Sequence, residues 1–153
     1  MSESINQNVI LFYSTSGEYG CFSNFSRHPI FLAGKRWPTS EHYFQAMKFE
    51  GTEHEEQVRM AKKPMDAANM GRDRKRPLRN DWDSVKDQIM RDAVRAKFTQ
   101  HDGLKAILLS TGDAKLIEHT ANDSYWADGG DGSGLNRLGE ILMEIRQELQ
   151  EKV

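Results

Sequence analysis

The sequence predicts an α+β fold: a mainly helical single domain with a small β-sheet. Two apolar stripes of helical period argue for long helices: Val85, Ile89, Ala93 and Ala96, then Leu138, Ile141, Leu142, Ile145 and Leu149. Three short runs, Val9 to Tyr13, Pro29 to Leu32 and Lys115 to Thr120, are too brief for helices and read as strands. No repeat and no Pro/Ser-rich linker divides the 153 residues. That length suits one domain, residues 1–153 with a core from about 9 to 148.

The elements follow in order. Val9 to Tyr13 forms a buried strand, and Ser14 to Gly20 a loop. Pro29 to Leu32 turns at Ala33-Gly34 into Lys35-Arg36-Trp37, a hairpin. Thr39 or Ser40 caps a helix that runs to about Glu50 and stops at Gly51. A further helix covers roughly 53–62. Pro64 opens a short helix that Gly71 ends. Residues 72–81 form a basic loop. Asp83 caps a helix from about 84 to 100, and another spans about 103–110, ending at Gly112. After the strand at 115–120 comes a long glycine-rich stretch, 121–135. Asn136 then caps the last helix.

Composition narrows the function classes. Hydrophobic residues make up 37% and charged residues 29%, which is a globular balance rather than a disordered one. No apolar run approaches the ~20 residues that span a bilayer, so no membrane partner is expected. The start, MSESINQNVI, lacks a basic segment followed by a long apolar one, so no leader is expected. The single cysteine, Cys21, excludes an intramolecular disulfide and a Cys-based zinc site, and it suits a reducing cytoplasm. The five histidines show no HxxxH or HxH spacing, so neither a metal nor another cofactor is expected. Residues 59–97 carry a net charge of +6 between acidic ends of −3 (1–58) and −5 (112–153). A basic middle of that size fits a local phosphate site better than a broad nucleic-acid face.

Three constellations offer chemistry. In the first, Glu41, Gln45 and Lys48 recur at i, i+4 and i+7, so they share one helix face. Glu41 sits in the first turn, where the helix dipole favours a carboxylate. A lysine buried among Tyr43, Phe44 and Phe49 loses its proton more readily and becomes a nucleophile. An ordinary polar surface stripe is the plainer reading of the same spacing. The second constellation is Asp123 to Asn136, with four glycines between 129 and 134. Gly132, Ser133 and Asn136 lead into a helix N-terminus, which suits an anion. Trp126 offers a surface for a flat base and Asp128 a carboxylate for sugar hydroxyls or water. A flexible surface turn is the plainer alternative. The third is Arg72 to Arg79, five positive charges and one negative in eight residues. Arg72 and Arg76 are its candidates for a phosphate clamp, and a solvated loop is the alternative.

Taken in order, these residues resemble a known family. Gly20-Cys21-Phe22-Ser23-Asn24-Phe25, then Trp37 to Lys48, then Asp123-x-x-Trp126, then Gly132 to Gly139 with Leu142-Met143-x-x-Arg146, look like the NADAR family, the YbiA-like N-glycosidases. The resemblance runs from about residue 10 to residue 147. It implies a mainly helical YbiA-like α+β fold and cleavage of an N-glycosidic bond at the anomeric carbon of a phosphorylated ribose. One family activity acts on early riboflavin-pathway intermediates, releasing ribose 5-phosphate; another removes ADP-ribose from guanine in nucleic acid. The resemblance carries over Glu41, Lys48, Trp126 and Asp128 as active-site positions. Many members have Gly after the loop Trp, where this chain has Ala127.

The implied partners are therefore a small phosphoribosyl or ADP-ribosyl substrate, or ADP-ribosylated nucleic acid. The residues suit that chemistry. Breaking a ribosyl C–N bond builds oxocarbenium-like charge, which a carboxylate such as Glu41 or Asp128 stabilises. Lys48 offers a Schiff-base route through the opened sugar. Trp126 or Phe22 suits the base, and the glycine loop or the arginines suit the phosphate, with Asn24 and Gln45 as further substrate contacts. The competing class is a non-catalytic module that binds ADP-ribose or NAD-like ligands. It needs the aromatic, glycine-rich and basic groups, but not Glu41 and Lys48 on one face.

Overall fold

The structure, a computed structural model, describes residues 8–152. The expectation of no leader falls mostly on residues 1–7, outside the described residues. The chain forms two compact units. The central unit is Asn24–Gln100; the terminal unit joins the segment up to Ser23 to the segment from His101 onward.

Strand β1 (Val9–Phe12) belongs to the terminal unit, and the central unit opens with an antiparallel hairpin in which β2 (Ile30–Leu32) pairs with β3 (Lys35–Trp37). Its turn places Ala33 at φ 55° and Gly34 at φ 77°, the two left-handed positions of a tight hairpin turn. The Gln100 side chain pairs with both the amide and the carbonyl of Phe31, at 2.8 and 2.7 Å, and so covers part of the hairpin edge.

Helix α1 (Ser40–Ala46) is capped by Thr39, whose hydroxyl accepts from the His42 amide. It was expected to run to about Glu50. Instead the α-helix ends at Ala46 and tightens into a 3-10 turn, Met47–Phe49. Helix α2 (Glu53–Arg59) stops short of the expected 62, and α3 (Pro64–Gly71) matches its expected span. Gly71 is no left-handed residue beyond the helix end, because it occupies the last helical position without a positive φ.

Helix α4 (Trp82–Gln100) carries Asp83 in its first turn rather than as its cap. The Asp81 carbonyl starts the helix, accepting from the amides of Ser84 and Val85, while Arg79 holds the Asp81 carboxylate.

In the terminal unit β1 pairs in parallel with β4 (Lys115–Glu118), with Ile10 opposite Leu116. Among the described residues the small sheet is two separate two-stranded sheets, one in each unit. Helices α5 (Asp102–Ser110) and α6 (Arg137–Glu151) complete the unit. The expected apolar stripe of α6 is buried from Leu138 to Leu149. A Cβ on Gly139 would overlap the Leu116 carbonyl, so α6 lies against β4 only because that residue is glycine.

Asn136 is not the side-chain cap its position suggested, and it adopts φ 53° with no capping hydrogen bond. Its amide bridges to β4 instead: Oδ1 accepts from the Glu118 amide and Nδ2 donates to the Leu116 carbonyl, both at 2.9 Å. Two backbone groups of β4 are satisfied this way, and the first amides of α6 find loop carbonyls instead of a side-chain cap.

Candidate functional site

In the central unit the first constellation is assembled on α1. Glu41 is buried, 8% exposed, and its Oε2 accepts from Gln45 Nε2 at 2.7 Å. This is the i, i+4 neighbour relation that the sequence spacing predicts. Asn24 anchors the start of the helix: its carbonyl accepts from the Glu41 amide, its Oδ1 accepts from Ser40 Oγ at 2.9 Å, and its Nδ2 donates to Met90 Sδ. The Asn24 side chain is therefore committed within the unit. His42 is a satisfied core histidine, its ring nitrogens paired with Thr39 Oγ1 and the Ala61 carbonyl. Burial holds it below the usual histidine range.

Lys48 lies in the 3-10 turn after α1, half-buried, with Nζ donating to the Gly71 carbonyl at 3.2 Å. Burial holds its amine below the ordinary lysine range. The Glu41 carboxylate opposes that depression, and Arg72 and Lys86 add to it. Of the three rings expected around it, Phe44 is a neighbour, and Trp82 joins it. Phe44 and Trp82 lie 5.9 and 5.7 Å from Nζ by ring centroid. Tyr43 instead packs edge-on to Trp37, and Phe49 against His54. The tightened turn after Ala46 changes which rings Lys48 meets. Trp82 carries no functional signal in the sequence.

Two of the five cations of the basic segment, Arg76 and Arg79, are tied to neighbouring side chains. Arg76 bonds His54 Nδ1 at 2.9 Å and Gln57 Oε1 at 2.6 Å, and its Nε lies 3.4 Å from Asp73. Arg79 is held by Asp81 at 2.6 Å and Glu50 at 2.7 Å. Arg72 is exposed and makes no ion pair among the described residues. Of the two residues expected to clamp phosphate, Arg72 alone presents its guanidinium to solvent.

In the terminal unit the glycine-rich stretch is ordered by its aspartates. Asp123 Oδ1 accepts from the amides of Tyr125 and Trp126. Asp128 is buried, 6% exposed, with both oxygens engaged. Oδ1 accepts from the amides of Thr120 and Gly130, and Oδ2 lies 2.7 Å from His119 Nδ1. The His119 hydrogen bond, with those two amides, holds the Asp128 carboxyl below the usual range. At the exposed tip, Asp131 accepts from both the amide and the hydroxyl of Ser133, and Gly132 takes φ 87°.

The expected anion cradle at the start of α6 is corrected by this geometry. The Arg137 and Leu138 amides donate to the carbonyls of Tyr125 and Trp126, so loop backbone already occupies them. Trp126 is partly exposed and meets Tyr125 edge-on, with centroids 4.8 Å apart. Phe22 is only 1% exposed, stacked on Tyr19 and edge-on to Phe12, so it has no face for a base. Cys21 is buried, in keeping with a small core residue.

Among the described residues, no group of three or more His, Cys, Asp or Glu is placed to hold a metal. No helix there is long and apolar enough to cross a membrane.

A half-buried amine with a lowered affinity for its proton, within the field of a buried carboxylate, is the equipment of covalent or acid–base catalysis. The scaffold that carries it is equally specific: the chain belongs to the NADAR family, whose domain matches residues 11–150. It is 60% identical over 141 residues to the N-glycosidase YbiA of Escherichia coli, covering 92% of this chain and 88% of that protein. The solution structure of the same E. coli protein superposes with a TM-score of 0.89, covering 97% of this chain and 88% of that one. An N-glycosidase of Nostoc punctiforme is 46% identical over 145 residues, 93% of each chain. A riboflavin biosynthesis protein of Vibrio vulnificus is 42% identical over 147 residues, 96% of this chain and 40% of that protein.

Proposed function

We propose that this NADAR protein is an N-glycosidase, a hydrolase of N-glycosyl bonds, that acts on a phosphorylated ribosyl-aminopyrimidine of the early riboflavin pathway and releases ribose 5-phosphate. The enzyme class is that of its relatives, at identities up to 60% over nearly the whole chain. The substrate draws support from the relative named for riboflavin biosynthesis. We set the reaction in the cytoplasm, where such phosphorylated intermediates are made. The reading as one functional domain rests on the family match, which spans residues 11–150.

The observation that carries the mechanism is the Lys48 amine, depressed by burial and influenced by Glu41. In the opened sugar C1 is joined to the base nitrogen as an imine; the Nζ lone pair adds to C1 and the C=N π pair moves onto that nitrogen. Both protons of the attacking amine pass to the same nitrogen as the remaining C1–N bond breaks with its electron pair, so the base leaves as a free amine and C1=Nζ forms. Water hydrolyses the lysine Schiff base, restoring the amine and releasing the sugar aldehyde. Glu41, oriented by Gln45, stabilises positive charge at C1 and relays the protons. Arg72, in the same unit as Lys48, binds the phosphate, and Trp126 is carried over from the family resemblance as the surface for the base. Asp128 ties the segment after β4, at His119 and Thr120, to the glycine loop at Gly130.

The test is incubation of the pure protein with the riboflavin intermediates and, separately, with ADP-ribosylated guanine in DNA, followed by mass spectrometry. Ribose 5-phosphate from the first alone supports the proposal. ADP-ribose from the second alone moves the substrate to modified nucleic acid. Ligand binding without product from either makes the protein a binding module.

A further inference from the structure

Gln45 holds an unusual position. It is 5% exposed, and its Oε1 is fully buried with no hydrogen-bond partner among the described residues. A buried acceptor left unpaired costs about 1–3 kcal/mol, so something else dictates the amide's orientation. That partner is Glu41, which takes the Nε2 hydrogen and turns Oε1 the other way. Oε1 then faces the backbone of Gly71, the last residue of α3. A Cβ there would overlap Oε1 and come within 2.6 Å of Cδ and 3.1 Å of Cβ of Gln45. The backbone angle of Gly71 makes no demand for glycine, because it is not left-handed. Space for the Gln45 amide is the demand. The same residue's carbonyl receives Lys48 Nζ.

We infer that Gly71 is a positioning residue for the reaction: its missing side chain seats the Gln45 amide against Glu41, and its carbonyl seats the Lys48 amine. The inference rests on the proposed roles of Glu41 and Lys48. It makes a specific statement about a substitution that leaves the fold intact. The atoms a Cβ would strike first are at the far end of a flexible side chain, so Gly71→Ala displaces Gln45 rather than α3. The Glu41–Gln45 hydrogen bond is lost while the core packing stays.

The test is a double-mutant cycle of Gly71→Ala and Gln45→Ala, read by turnover and by NMR of the Gln45 side-chain amide. In the unsubstituted protein that amide resonance titrates with the Glu41 carboxylate. In Gly71→Ala it loses this titration, with the thermal midpoint unchanged. The kcat of Gly71→Ala falls about tenfold or more, a cost typical of misplaced catalytic groups. In the Gln45→Ala background, adding Gly71→Ala changes kcat by less than about twofold, because the clash is gone. Equal losses in both backgrounds, or an undisturbed Gln45 resonance in Gly71→Ala, overturns the inference. The NMR arm decides even if neither substrate is turned over, which separates failure of the inference from failure of the proposed function.

Discussion

Gln45 Nε2 donates to Glu41 Oε2 at 2.7 Å, one turn apart on α1, and fixes the carboxylate inside the central unit. The helix thereby presents a carboxylate of set orientation before any substrate arrives, which is the condition for electrostatic stabilisation of a developing cation.

Glu41→Gln removes that charge and keeps the shape. Turnover is expected to fall by about 100-fold or more, the scale of losing a group that acts on transition-state charge. Circular dichroism stays unchanged. Near-normal kcat with an intact fold removes Glu41 from the mechanism.

Lys48→Arg retains a cation but not a nucleophile, so it is expected to be nearly inactive. Borohydride added during turnover traps a covalent adduct on Lys48, located by peptide mass spectrometry. Substantial activity in Lys48→Arg with no trapped adduct rejects the Schiff-base route and favours direct attack by water with Glu41 as base.

Trp126→Ala is expected to raise KM more than it lowers kcat. Stacking on the base acts in ground and transition states alike, and uniform binding appears in KM. A loss confined to kcat assigns Trp126 a catalytic or gating role instead.

The loop's dependence on Asp128 has a definite sign. The Asp128 carboxyl is held below its usual range by His119 and the amides of Gly130 and Thr120. A depressed carboxyl contributes stability above its unfolded-state value of about 3.9, and that contribution is lost as pH falls through the folded-state value. Asp128→Asn therefore lowers the urea midpoint at neutral pH. The difference from the unsubstituted protein closes as pH drops below about 4. A difference that persists at low pH shows that the carboxylate charge is not what orders the loop.

Asn136→Gly keeps the left-handed backbone and deletes the amide that bridges to β4. It leaves the Glu118 amide and the Leu116 carbonyl without that partner. A loss of about 1–3 kcal/mol is expected from the buried Leu116 carbonyl, with a smaller share from the part-buried Glu118 amide. Chemical denaturation measures it, and a loss under about 0.5 kcal/mol, the level of an ordinary surface change, means water replaces the amide.

Local chemistry, which depends only on neighbours in sequence, was legible from the residues alone. The α6 stripe, the α3 start at Pro64, the Ala33-Gly34 turn and the Glu41–Gln45 relation all follow from spacing and backbone preference. The ordered motifs from Gly20 to Arg146 likewise carry the family resemblance. Where a side chain's partner lay far along the chain, the sequence was silent or misleading. Asn136 reads as a cap, yet Leu116 and Glu118 claim its amide. Arg76 reads as a phosphate ligand, yet His54 and Gln57 hold it. Gly71 reads as a helix terminator, yet its missing side chain makes room for Gln45 and its carbonyl receives Lys48. Buried polar groups must be paired, and only tertiary packing decides which of several competing partners comes within hydrogen-bond reach.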